Sequence, residues 1–136
     1  MGVYAIAYVA TALVFLGIDS IWLTLTASRL YRPLLGDMLV DGFNPTPAVL
    51  FYAIYVGGIV YFAVRPALAT GSAATATLNG AVLGFVAYAT YDLTNQATLK
   101  NWPVQITIAD LCWGTILSGV AATLGFLIAR YFARAA

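Results

Sequence analysis

The chain of 136 residues contains no histidine and no glutamate, and it has a single cysteine, Cys112. Without histidine, a Ser-His-Asp or Cys-His catalytic centre is impossible, and so are a His-ligated metal and a haem with an axial histidine. One cysteine cannot form an internal disulfide, so cysteine usage does not indicate a compartment. Acid–base chemistry is left to five aspartates, Lys100, the tyrosines and Cys112.

Charged residues are also scarce. They make up 8% of the chain, against about 25% in soluble domains. Hydrophobic residues make up 62%, and the mean hydropathy is +0.91. Such a chain cannot cover a water-exposed surface, which excludes a soluble globular protein and a disordered one. A net charge of +1 does not fit a nucleic-acid binder. We therefore predict an integral membrane protein that forms a single domain over residues 1–136.

Four apolar stretches are separated by segments rich in helix-breaking residues. A helix rises ~1.5 Å per residue and the hydrocarbon core is ~30 Å thick, so each stretch suits one crossing. A helix satisfies its own backbone hydrogen bonds in lipid, whereas an open strand does not. We predict an all-α fold, a four-transmembrane-helix bundle, with helices at about residues 3–27, 47–64, 72–94 and 103–130.

The segment between the first two predicted helices, residues 28–43, has its own pattern. Apolar residues recur at helical spacing and charged residues lie between them, which predicts a short interfacial amphipathic helix that ends at Asp41–Gly42. This helix is either a linker that faces lipid or a lid over the bundle. Its apolar positions are Leu30, Tyr31, Leu34, Leu35, Met38 and Leu39.

Small residues mark helix faces that can approach closely. Gly80 and Gly84 lie four residues apart in the third predicted helix, and Gly114 and Ser118 do so in the fourth. Stripes of this kind let helix backbones pack tightly in a membrane. We predict that they pack within the bundle, with dimerisation as the alternative.

Antiparallel threading of four helices gathers carboxylates in one leaflet. The first and third helices end on the side where the fourth begins, so Asp19, Asp92 and Asp110 lie in the same half of the bundle. The patterns Asp19-x-x-Trp22 and Asp110-x-x-Trp113 match, and residues three apart share a helix face. The predicted binding residues of this polar cavity are Asp19, Trp22, Asn44, Tyr88, Asp92, Asn95, Lys100, Asp110 and Trp113.

These carboxylates allow two interpretations. A charged group in hydrocarbon costs at least ~2.5 kcal/mol, so it must be paired, hydrated or protonated. The functional interpretation is a cavity that binds a cation, moves a proton or holds a polar headgroup. The structural one is a hydrogen-bond network that pins the helices together, and Asp92 could instead be solvated or paired with Lys100. Three aspartates could supply oxygen ligands to Mg²⁺ or Ca²⁺, but no recognisable acidic metal motif is present, and no cofactor is indicated.

A set of short motifs runs through the chain. They are G-I-D-x-x-W at residues 17–22, N-P at 44–45, Y-D-L-T-N at 91–95, K-x-W-P at 100–103 and D-x-x-W-G at 110–114. In this set the chain resembles, over essentially its whole length, the uncharacterised bacterial membrane proteins of domain of unknown function family 2177. The resemblance implies a four-helix protein of the bacterial inner (cytoplasmic) membrane, and it implies no established activity.

The sequence supports two classes of function. The first is a membrane protein whose Asp/Trp-lined cavity binds or transports, or modifies, a small lipophilic molecule or lipid; a pair of aspartates could do acid–base work. The alternative is a non-catalytic accessory or assembly subunit of a larger membrane complex, with a membrane protein partner or a second copy. Ion conduction is disfavoured because the other leaflet lacks matching polar residues.

The orientation in the membrane is weakly specified. With four helices both termini lie on the same side. Each side carries three basic residues, so the positive-inside rule gives no bias. Arg130 and Arg134 near the C-terminus favour termini in the cytoplasm.

Overall fold

The computed structural model describes residues 2–39 and 44–135. Within them, four helical segments are long and apolar enough to cross a membrane. This confirms the predicted all-α bundle of four transmembrane helices. The first to fourth helices are Gly2–Met38, Pro45–Thr70, Ala73–Thr98 and Val104–Ala135. The predicted end of the amphipathic helix at Asp41–Gly42 lies outside the described residues.

The first helix continues beyond its predicted end. Its α-helical part, Gly2–Thr26, passes into a π-helical turn at Ala27–Tyr31, an α-helical turn at Arg32–Leu35 and a 3-10 turn at Gly36–Met38. The interfacial helix expected at residues 28–43 follows the first helix without a gap as far as Met38, and within it Gly36 has a positive φ of 53°. We call residues 27–38 the helical extension. Leu35 is buried, so the extension packs against the bundle.

The second helix also passes a proline without breaking. The sequence predicts an end at about Val64, but a π-helical turn at Val60–Val64 leads into a further helical segment that ends at Thr70. Pro66 has no N–H for the carbonyl four residues earlier, that of Phe62. The Nδ2 atom of Asn79 in the third helix donates to that carbonyl at 3.1 Å instead. The neighbouring helix therefore replaces the missing hydrogen bond, as helices in lipid require.

The third and fourth helices make the most extensive contact in the bundle. Gly80 and Gly84 face the fourth helix so tightly that a Cβ atom on Gly84 would lie 2.6 Å from Ser118 Oγ. Gly114 in turn packs against the ring of Tyr88. The small-residue stripes are thus used for packing between these two helices.

Apolar side chains both fill the bundle and cover its outside. Phe15, Ile59, Leu117 and Phe126 are fully buried between the helices. On the outer surface Ile54 is 73% exposed, as suits a face that contacts lipid.

Both ends of the described chain lie at one end of the bundle. Val3 and Tyr4 of the first helix share a groove with Arg130 and Arg134 of the fourth. The aspartates of the helices lie towards the opposite end, beside the helical extension.

Candidate functional site

Asp19 joins three helices through both of its oxygens. The carboxylate is 8% exposed. The Tyr52 hydroxyl of the second helix donates to its Oδ2 at 2.8 Å, and Trp113 Nε1 of the fourth donates to its Oδ1 at 3.1 Å. Two donors on one buried carboxylate stabilise it and fix the relative positions of the helices. Asp19 therefore has the contacts of a structural residue.

The two tryptophans stack on each other. The rings of Trp22 and Trp113 are 4.4 Å apart at an angle of 8°, and Trp22 Nε1 donates to the Tyr31 hydroxyl at 3.2 Å. Neither tryptophan donates to the aspartate of its own Asp-x-x-Trp pattern. Trp113, from the pattern of Asp110, donates to Asp19, and Trp22, from the pattern of Asp19, donates to Tyr31.

Asp110 is held by the helical extension. Its carboxylate is 9% exposed, and its Oδ1 accepts a hydrogen bond from the Tyr31 hydroxyl. Since Tyr31 also accepts from Trp22, a chain of donors leads from the first helix to Asp110. A charge-assisted bond of this kind fastens the extension to the fourth helix.

Asp92 differs from the other two aspartates. It is 0% exposed, and neither of its carboxylate oxygens has a hydrogen-bond partner among the described residues. Asp110 of the fourth helix lies directly beside it. Nearly all buried polar groups in proteins are hydrogen-bonded, because an unpaired one is costly in free energy. A carboxylate without partners at such a depth makes Asp92 the candidate functional residue of the bundle.

Two cavities converge on Asp110. One, of about 310 Å³, lies between the second, third and fourth helices. The other, of about 460 Å³, lies under the helical extension. Tyr91 and Asp110 line both. The first is also lined by Phe51, Ala87 and Tyr88, and the second by Tyr31, Arg32, Trp102 and Ile106 among others.

The remaining predicted site residues lie at varying distances from the aspartates. Tyr88 lines the smaller cavity, and Asn95 is half-buried near the end of the third helix. Lys100 is exposed in the turn before the fourth helix, and Asp92 is neither solvated nor bonded to it. Asn44 is exposed, and its Oδ1 accepts from the Thr46 amide at 3.3 Å. It caps the second helix and does not join the aspartates.

Three tyrosines contribute contacts that were not foreseen. Tyr31 was predicted only as an apolar position of the amphipathic helix, and Tyr52 and Tyr55 were not singled out. Tyr55 shares a hydrogen bond of 2.6 Å with Ser118 Oγ. The sequence contained a signal for the role of Tyr52 and Tyr55. Carboxylates in lipid need hydrogen-bond donors, and over residues 48–64 the second helix offers only its tyrosine hydroxyls.

The arrangement limits the chemistry of the site. Over residues 2–39 and 44–135, no group of three or more His, Cys, Asp or Glu side chains is placed to hold a metal ion. The aspartates offer an adjacent carboxylate pair, Asp92 and Asp110, of which Asp110 lines both aromatic cavities and Asp92 is fully buried behind it. Such a pair can hold a proton, a cationic group or a hydrogen-bond donor.

Helices this apolar, packed around buried carboxylates, define an integral membrane protein. Residues 4–127 match the family described as "Predicted membrane protein (DUF2177)". The chain therefore belongs to that family, as its motifs predicted. No curated protein and no solved structure matches it.

Proposed function

We propose that this membrane protein binds a small lipophilic molecule or lipid, whose polar group reaches Asp92 and Asp110 from within the bilayer. The observation that carries the proposal is Asp92. Its side chain is fully buried, and its oxygens lack hydrogen-bond partners in the described part of the chain. A ligand that brings a donor to this pair would supply what the protein leaves unsatisfied.

A comparison of Asp92 with Asp19 supports a ligand at Asp92. Asp19 accepts from Tyr52 and from Trp113, so each of its oxygens is satisfied by the protein itself. A carboxylate that served only to pin the helices would be expected to have such partners. Asp92 and Asp19 lie in the same bundle but differ in this respect, which favours a ligand at Asp92 and a structural role for Asp19.

The cavities support a lipophilic ligand. Their volumes of about 310 and 460 Å³ fall within the ~300–1,000 Å³ typical of small-molecule sites. The walls are aromatic and aliphatic apart from a few polar groups near Asp110. A largely apolar pocket with a few convergent polar groups is the usual form of a ligand site.

The placement in the cell is part of the proposal. We infer a bacterial cytoplasmic membrane with both termini on its cytoplasmic side. The groove shared by Val3 and Arg134 supports a common side, since it brings the two ends of the described chain together at one end of the bundle. Reporter fusions at residue 1 and residue 136 should report the same compartment, and opposite compartments would overturn this topology.

Native mass spectrometry of the protein, extracted from its own membrane, tests the function directly. We expect a bound small molecule, and we expect its occupancy to fall in an Ala87→Phe variant, because Ala87 lines the smaller cavity. Ala74→Phe is the matched control, since Ala74 is an exposed position of the same helix. A protein partner without a small molecule would favour the accessory-subunit alternative. Equal occupancy in both variants would refute binding in this cavity.

A further inference from the structure

We infer that Asp92 carries a proton that it shares with an ionised Asp110, and that the resulting single negative charge binds the cationic amine of a lipophilic ligand. This inference rests on the proposed function and assigns the class of ligand to the same site. It follows from three features of the pair, namely the missing partners of Asp92, the donor on Asp110 and the aromatic walls.

The first feature places the proton on Asp92. Two adjacent carboxylates cannot both be charged in apolar surroundings, so one of them holds a proton. Asp92 is 0% exposed and has no donor in the described residues. Protonation gives Asp92 an O–H group that donates to the neighbouring carboxylate of Asp110. The proton gives one of the two Asp92 oxygens a partner and leaves the other without one among the described residues.

The second feature leaves the negative charge on Asp110. The Tyr31 hydroxyl donates to Asp110 Oδ1, and a donor stabilises the ionised form of a carboxylate. With the O–H of Asp92 added, Asp110 has two donors. The pair therefore has a net charge of −1, which a single positive charge neutralises.

Among residues 2–39 and 44–135, no basic side chain forms an ion pair with Asp92 or Asp110. Asp19 is bonded to Tyr52 and Trp113 and adds negative charge nearby. Arg32 is exposed, and it lines the larger cavity together with Asp110. The titratable and charged groups that face the pair are Asp19 of the first helix, Tyr31 and Arg32 of the extension, and Tyr88 and Tyr91 of the third helix.

The third feature selects an amine. Faces of aromatic rings attract cations, and this attraction strengthens in a desolvated site. Phe51, Tyr88 and Tyr91 line the smaller cavity beside Asp110, and Tyr31 and Trp102 line the larger one. A carboxylate surrounded by aromatic side chains suits an ammonium group on an apolar body. The ammonium group belongs either to a free lipophilic amine or to a zwitterionic phospholipid, whose phosphate Arg32 can reach at the cavity edge.

The native protein in a neutral detergent is titrated with dodecylamine and with dodecanol, which share a chain and differ in charge at pH 7. We expect the amine to bind at least about tenfold more tightly, which corresponds to ~1.4 kcal/mol. Equal binding of the alcohol would overturn the amine site but leave the proposed function standing. If neither probe binds and no small molecule co-purifies, the proposed function fails as well.

Two variants test where the proton lies. Asp92→Asn replaces a protonated acid of the binding site with a neutral side chain that can still donate to Asp110, so dodecylamine binding should fall by only about threefold, because the negative charge stays on Asp110. Asp110→Asn removes the negative charge, and binding should fall at least about tenfold. Asp37→Asn, at an exposed position in the 3-10 turn, is the matched control. A larger loss of dodecylamine binding in Asp92→Asn than in Asp110→Asn, or an equal loss in the two variants, would overturn the assignment of the proton to Asp92.

Infrared spectroscopy gives a readout that does not depend on ligand. The native protein at pH 7 should show the C=O stretching band of a carboxylic acid, and Asp92→Asn should lack it while keeping its helical content. Absence of the band in the native protein would refute the shared proton even if a variant failed to fold.

The source of the amine is resolved with Arg32→Gln. If a phospholipid head is the ligand, this variant should weaken binding of dioctanoyl phosphatidylethanolamine and leave dodecylamine binding unchanged. If both probes bind as they do to the native protein, the ligand is a free lipophilic amine. Dioctanoyl phosphatidylglycerol has no amine, and if it bound the native protein more tightly than dioctanoyl phosphatidylethanolamine, the inference would be contradicted.

Discussion

Gly84→Ala should separate the two helices that carry Asp92 and Asp110. A Cβ atom at Gly84 would lie 2.6 Å from Ser118 Oγ and 2.7 Å from Ser118 Cβ, and it would also meet the backbone of Gly114. Real Cβ atoms do not approach other atoms so closely. Because one of the obstacles is backbone, a change of side-chain rotamer cannot relieve the overlap, and the helices must move apart.

The expected loss of stability follows from two opposing effects. Forcing an extra methyl group into a packed interface costs ~1–3 kcal/mol. Alanine is a better helix former than glycine by up to ~1 kcal/mol, which offsets part of that loss. We expect a net destabilisation of ~2 kcal/mol for Gly84→Ala, since overlap with backbone places it in the upper part of the overpacking range.

The matched control is Gly58→Ala in the second helix. A Cβ atom at Gly58 would have nothing within 4 Å in the described part of the chain, so this variant should be neutral or more stable by up to ~1 kcal/mol. The assay is reversible unfolding in mixed micelles of sodium dodecyl sulfate and a neutral detergent. Equal stability of the two variants would refute the close approach of the third and fourth helices.

Three further predictions concern single contacts. Tyr52→Phe removes a 2.8 Å donor from the Asp19 carboxylate and should destabilise the fold by ~1.5–3 kcal/mol in the same unfolding assay; a loss below ~0.5 kcal/mol would contradict the structural role of Asp19. Asn79→Ala leaves the Phe62 carbonyl without its side-chain donor and should cost ~1–3 kcal/mol, and an unchanged unfolding midpoint would show that another group satisfies this carbonyl. Asn44→Ala should cost ~1 kcal/mol through loss of the helix cap without changing ligand occupancy in native mass spectra, whereas a loss of occupancy would place Asn44 in the site.

The π-helical turns show a limit of predicting helix ends from the local sequence. Pro66 and the arginine before it predict the end of a helix, and in water that expectation would be sound. Here the second helix continues, because Asn79 of the neighbouring helix satisfies the Phe62 carbonyl. The helical extension passes Pro33 after a π-helical turn of the same length. At Pro66, continuation of the helix thus depends on a neighbouring residue that no local sequence pattern identifies.

The sequence by itself determined that the protein lies in a membrane, that four helices cross it and that three aspartates share one half of the bundle. These properties follow from the composition, from the lengths of the apolar segments and from the alternating direction of successive helices. Each can be read from single segments of the chain, without knowing how the helices pack.

Only the tertiary structure decided what each aspartate does. The donors of Asp19 come from the second and fourth helices, the donor of Asp110 comes from the helical extension, and Asp92 is left without one in the described residues. These partners depend on how each helix is rotated about its axis and how closely it approaches the next. Rotation and approach are set by contacts between helices, such as those of Gly84 with Ser118, and residue spacing along one helix cannot specify them.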